Sequence, residues 1–113
     1  MGTFLRDIQL RNRRTVIRAK DSFIVTQTDR RGTRYSQTYP KAAVDKLYSL
    51  TRGETVSKDE AADRLRRHAV ELGLKYHYGW RLNFVALDIL VVFVATGRAS
   101  VTKEGNRFVF QVR

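Results

Sequence analysis

The sequence predicts an α+β protein in one compact domain: a three-stranded antiparallel sheet plus helix over residues 1–52, then two helices and a C-terminal β-hairpin over 53–113. Three observations lead there. Residues 14–39 alternate side-chain character with period two between explicit turns. Residues 57–72 place apolar side chains at helical spacing behind a capping motif. Residues 82–95, LNFVALDILVVFVA, are apolar in nearly every direction and need a core to lie in. With 113 residues, one proline and no glycine or serine tract, the chain has the size of a single domain and no linker to divide it.

Taken in order, Thr3 to Arg11 fits either a strand or a short helix. Arg14 to Lys20 alternates as a half-buried strand, with Arg14, Val16, Arg18 and Lys20 on one parity and Thr15, Ile17 and Ala19 on the other. Phe23 to Thr28 and Thr33 to Tyr39 read as two further strands joined by the turn Asp29-Arg30-Arg31-Gly32. In a meander, Ile17, Ala19, Phe23, Val25, Tyr35 and Tyr39 would pack inward. Arg14, Arg18, Lys20, Thr26, Thr28, Arg34, Ser36 and Thr38 would face out.

Pro40 suits the first turn of a helix running to about Thr51. Ser57 and Glu60 have capping-box spacing and open a second helix that Gly73 would end. The run Leu82 to Ala95 is too short and too interrupted to cross a bilayer. It is read as a core helix with Asn83 as N-cap and Gly97 past its end, with a buried strand as the alternative. One small domain can scarcely surround such an element, so a homodimer through Leu82 to Ala95 is expected. Within it Asp88 must find a partner or neutralise, and Arg81 and Arg98 flank the run. A hairpin closes the chain, turning at Glu104-Gly105-Asn106.

Charge points to function. The chain carries 22 Lys and Arg against 11 Asp and Glu, a net +11, and residues 1–52 hold 12 of the bases and only 4 of the acids. Sixteen of the bases are arginine, whose planar fork suits phosphate and base-edge contacts. A nucleic acid is therefore the expected partner, DNA rather than RNA, met by Arg14, Arg18, Lys20, Arg30, Arg31 and Arg34. Lys75, Tyr76, Tyr78, Trp80 and Arg81 form a second candidate surface suited to stacking on bases. The rival reading is an assembly or adaptor protein meeting an acidic protein partner.

Enzymatic chemistry finds little support. There are no cysteines, and His68 and His77 lie in no tight ligand spacing. A small nuclease is a distant third reading, and no cofactor or metal is expected. The N-terminal stretch MGTFLRDIQLRNRR lacks an uninterrupted apolar region, so no signal peptide is expected. The expected location is the cytoplasm, with the nucleoid if the ligand is DNA.

Two resemblances bear on geometry. Phe23 to Leu50 resembles the strand, Asp-x-x-Gly turn, strand, helix pattern of AP2-like and recombinase arm-binding modules. This resemblance implies a sheet face entering the DNA major groove, with contacts from Arg14, Arg18, Arg34, Arg30 and Arg31. Residues 57–113 look like a winged-helix arrangement with Lys103 to Arg107 at the wing tip. There the resemblance implies a recognition helix over Leu82 to Ala95, which is too apolar to lie in a groove.

Overall fold

The structure, a computed structural model, describes residues 2–68 and 80–113. Four strands form an antiparallel meander in chain order: β1 (Thr3–Gln9), β2 (Arg13–Arg18), β3 (Ser22–Thr28) and β4 (Arg34–Pro40). Helix α1 (Lys41–Thr51) follows at once, then β5 (Thr55–Val56), α2 (Lys58–Arg66) and α3 (Trp80–Ala95). The hairpin β6 (Ala99–Glu104) and β7 (Arg107–Val112) completes the described chain, and β7 pairs with both β5 and β6. The mixed α+β architecture is the expected one, with a fourth strand in the first sheet. That strand, β1, was illegible because its register to β2 shifts between Phe4 and Arg6, and the bulge breaks the alternation.

The apolar run is a helix, and the rest of the protein is packed around it. From Leu82 to Val94, only Asn83, Phe84 and Leu87 escape full burial. α3 lies against α1, α2, three strands of the first sheet and β6. One chain thus covers the helix that was expected to need a second copy, which removes the burial argument for a dimer. The helix also begins before Asn83, at Trp80. Asn83 Nδ2 instead donates to Asp59 Oδ1 at 2.8 Å, fastening α3 to α2.

At the other end Gly97 adopts φ 78°, Arg98 N–H donates to Phe93 O at 2.7 Å and Gly97 N–H to Val94 O at 3.2 Å. This double closure satisfies the last carbonyls of α3 and requires a residue at ease with positive φ.

α2 starts as its sequence requires. Ser57 Oγ accepts from Glu60 N–H at 3.3 Å and Glu60 Oε1 accepts from Ser57 N–H at 3.0 Å. Replacing Ser57 by alanine should cost about 1 kcal/mol in a urea melt, because the Glu60 N–H at the helix start loses its side-chain acceptor. The expected continuation of α2 toward Gly73 lies outside the described residues.

One expectation about the sheet is corrected. Arg18 pairs with Phe23 across the β2–β3 ladder, so the even positions of β2 share a face with the odd positions of β3. Phe23 and Val25 are buried, and they take Val16 and Arg14 inward with them. Ile17, placed inward by the sequence reading, is half-buried on the outer face. The β3–β4 register keeps Phe23, Val25 and Tyr39 together inside and Thr26, Thr28, Arg34, Ser36 and Thr38 together outside, as expected. β2 was out of phase, and Tyr35, expected to pack inward, is 56% exposed at the far end of β4 although it keeps the parity of Tyr39.

Candidate nucleic-acid interface

Arg14, expected to meet phosphate, is a core residue at 4% exposure. Its Nε lies 3.3 Å from Asp88 Oδ1. Nη1 donates to Asn12 O at 3.3 Å and Nη2 to Gln27 Oε1 at 3.4 Å. The Tyr39 hydroxyl donates to Asp88 Oδ2. A cation from β2 and a phenol from β4 therefore converge on the carboxylate of α3. Asp88 is thus paired with Arg14, 74 residues away in sequence, and not with the flanking Arg98; the side chain of Arg81 lies outside the described residues. Arg98 pairs instead with Asp45 at 3.1 Å.

Burial raises the Asp88 pKa, opposed by the Tyr39 hydrogen bond and the Arg14 charge. Burial beside that carboxylate pushes the Tyr39 hydroxyl far above the ordinary tyrosine value of 10.0. The sign follows from proton counting. Above pH 10.0 the unfolded chain releases the Tyr39 proton while the folded protein keeps it, so the stability this group contributes is lost as pH rises beyond that value. Urea midpoints measured between about pH 9 and 11 should fall less steeply for Tyr39→Phe than for the parent.

The face left outside the sheet is ordered in rows by the two ladders. Phe4, Ile17, Ile24 and Thr38 form one row. Asp7, Thr15, Thr26 and Ser36 form the next, where Thr15 Oγ1 donates to Asp7 Oδ1 at 2.6 Å and Thr26 and Ser36 share a hydrogen bond of 2.8 Å. Gln9, Arg13, Thr28 and Arg34 form the third. The arginine row borders the β3–β4 turn, which carries Arg30 and Arg31. Arg13, Arg30, Arg31 and Arg34 are all exposed.

No protein-family model, curated protein or solved structure matches this chain. The reading of the site therefore rests on its own chemistry.

The turn that presents Arg30 and Arg31 is held from within. Asp29 Oδ1 accepts from the backbone N–H of Arg31 and of Thr33, each at 2.9 Å, and Gly32 takes φ 83°. The carboxylate nearest the turn arginines is thereby occupied by amides. Other carboxylates are also engaged: Glu54 by Arg64, Asp63 by Arg66, Asp45 by Arg98, Asp88 by Arg14 and Glu60 by the Ser57 amide. Among the described residues none pairs with Arg13, Arg30, Arg31 or Arg34. An open cleft of about 320 Å³ lies between the two turns, lined by Arg11, Asn12, Arg13, Asp29 and Arg30 among others.

Arg18 and Lys20 are exposed but stand at the opposite end of the sheet, beside Lys41 and Arg98 around a smaller cleft of about 200 Å³. The six expected contact residues are thus not one surface. Arg30, Arg31 and Arg34 stay together, Arg18 and Lys20 form a separate group, and Arg14 is inside. Arg13 and Arg11 were missed. The three-residue connection between β2 and β3 sets Arg18 against Phe23, and that parity puts Arg13 on the outer face opposite Thr28.

Of the second candidate surface, Lys75, Tyr76 and Tyr78 lie outside the described residues, and Trp80 and Arg81 are the first residues of α3. Among the described residues no helix is long and apolar enough to cross a membrane, and no group of three His, Cys, Asp or Glu could hold a metal ion.

Proposed function

We propose that the protein binds nucleic acid, duplex DNA first, through Arg13, Arg30, Arg31 and Arg34 at the turn end of the first sheet. One observation carries this: four exposed guanidinium groups gather at one end of a rigid sheet with no carboxylate opposite them among the described residues. A face evolved only for solubility usually interleaves both signs of charge. The neighbouring hydroxyls of Thr28, Thr26 and Ser36 supply further donors for phosphate or base edges. Arg18, which the β2–β3 register places on the opposite face with Phe23, and Lys20 beside it stay outside this contact.

Contact through the sheet agrees with the AP2-like resemblance of residues 23–50. In the winged-helix resemblance the recognition position falls on α3, which is buried, so that helix is not used here. A homodimer through α3 would rely on Phe84 and the few accessible groups near it, and the proposed binding does not depend on one. A cytoplasmic, nucleoid-associated location follows from the same reading.

The deciding experiment is a salt titration of binding to duplex DNA, single-stranded DNA and duplex RNA, followed by fluorescence anisotropy. Four phosphate contacts predict a log–log slope of about −3.6 on duplex DNA. A slope near zero, or no binding at low salt to any of the three, would favour the acidic protein partner instead.

A further inference from the structure

A cleft of about 430 Å³ opens between the β1–β2 turn, the start of α2, α3 and the tip of the β6–β7 hairpin. Its volume falls in the range of about 300–1,000 Å³ usual for small-molecule sites. The lining divides by chemistry. Leu10, Leu87 and Phe108 give it apolar walls, while Arg11, Lys58 and Arg107 bring three cations to it. Among the described residues the one carboxylate in the lining, Asp59, is engaged by Asn83.

Arg14 also reaches this cleft, from the core side. A guanidinium has five N–H donors. One goes from Nε to Asp88, one from Nη1 to Asn12 O and one from Nη2 to Gln27 Oε1. Each terminal nitrogen thus keeps one N–H beyond these bonds. Across the mouth, Arg11 Nη2 donates to Asn106 O at 2.9 Å and holds the two turns together. The result is a concave, partly apolar site with a surplus of cationic donors, of which Arg11 and Arg14 are held by hydrogen bonds. A phosphodiester backbone fits it poorly, because a chain of charges would meet apolar walls. A neutral hydrocarbon leaves the cations unused.

We propose that this cleft binds a small organic acid, its apolar body against Leu87 and Phe108 and its carboxylate directed to Arg14, Lys58 and Arg107. This site shares Arg11 with the cleft between the two turns but uses none of Arg13, Arg30, Arg31 and Arg34, and it does not rest on the nucleic-acid reading. Its ligand bridges the first sheet, α3 and the hairpin.

Calorimetric titration of the full chain with octanoate and with phenylbutyrate tests the proposal, with the corresponding amides, acetate and inorganic phosphate as controls. The two acids separate aliphatic from aromatic bodies. At least one should bind, its amide at least tenfold more weakly, and acetate and phosphate without measurable heat. The double variant Lys58→Ala, Arg107→Ala should bind that acid about tenfold or more weakly, with the thermal midpoint of the unliganded protein unchanged. Failure of both acids to bind up to their solubility limits would overturn the assignment. So would equal binding of acid and amide, or undiminished binding by the double variant. If that variant were itself unstable, Lys58→Gln and Arg107→Gln taken singly, compared by the acid-to-amide ratio, would decide the matter.

Discussion

Asp88→Ala should lower the free energy of unfolding by about 3–5 kcal/mol, the cost of leaving a buried cation without its counter-charge. Arg14 cannot leave the inner face of β2, because the register that buries Val16 and Val25 fixes it there. Removing the carboxylate also strips the Tyr39 hydroxyl of its acceptor. Typical domains have about 5–15 kcal/mol in hand, so this single change should bring the protein near its folding threshold. The Arg14–Asp88 contact of 3.3 Å is longer than the roughly 2.8 Å of a tight charged hydrogen bond. The pair therefore contributes mainly by avoiding an uncompensated charge. It follows that Arg14→Met combined with Asp88→Leu should be far less harmful than Asp88→Ala alone. Chemical denaturation of the parent and these two variants measures this, and a loss below about 1 kcal/mol for Asp88→Ala would contradict the coupling.

Replacing Arg13, Arg30, Arg31 and Arg34 together by alanine should weaken duplex binding roughly a thousandfold, taking about 1 kcal/mol for each exposed charged contact. The salt slope should fall by about 3.6 at the same time, since each lost phosphate contact removes about 0.9. Stability should change little, because all four side chains are exposed and unpaired among the described residues. Arg14→Ala is the informative contrast. It should destabilise the fold by leaving Asp88 buried without its cation, so any loss of binding would track the unfolded fraction. Parent-like affinity in the quadruple variant, with an unchanged slope, would move the interface elsewhere.

The secondary structure was largely legible because it is local. Capping at Ser57, the glycines after α3 and in the hairpin turn, and the alternation of β3 and β4 each state their conformation within a few residues. What failed was long-range parity. Thr15, Ile17 and Ala19 looked like an inward face only because their neighbours include Arg14 and Arg18. The signal that could have corrected this was Asp88. A carboxylate inside an apolar helix demands a buried donor, and Arg81 and Arg98 are only its neighbours in sequence. The actual partner is 74 residues away. Burial around α3 was likewise misjudged, since two sheets and two helices together enclose a helix that no one of them could.

Among the described residues the meander ends in two edge strands, β1, where Phe4 is 59% exposed, and β4. Such borders invite neighbouring copies to stack on them. At low ionic strength a net +11 keeps the molecules apart. In about 1 M salt the screening length shrinks to about 3 Å and that mutual repulsion vanishes. Concentrated stocks should then turn cloudy while still folded, so the protein's shelf life is governed by its buffer more than by its melting temperature.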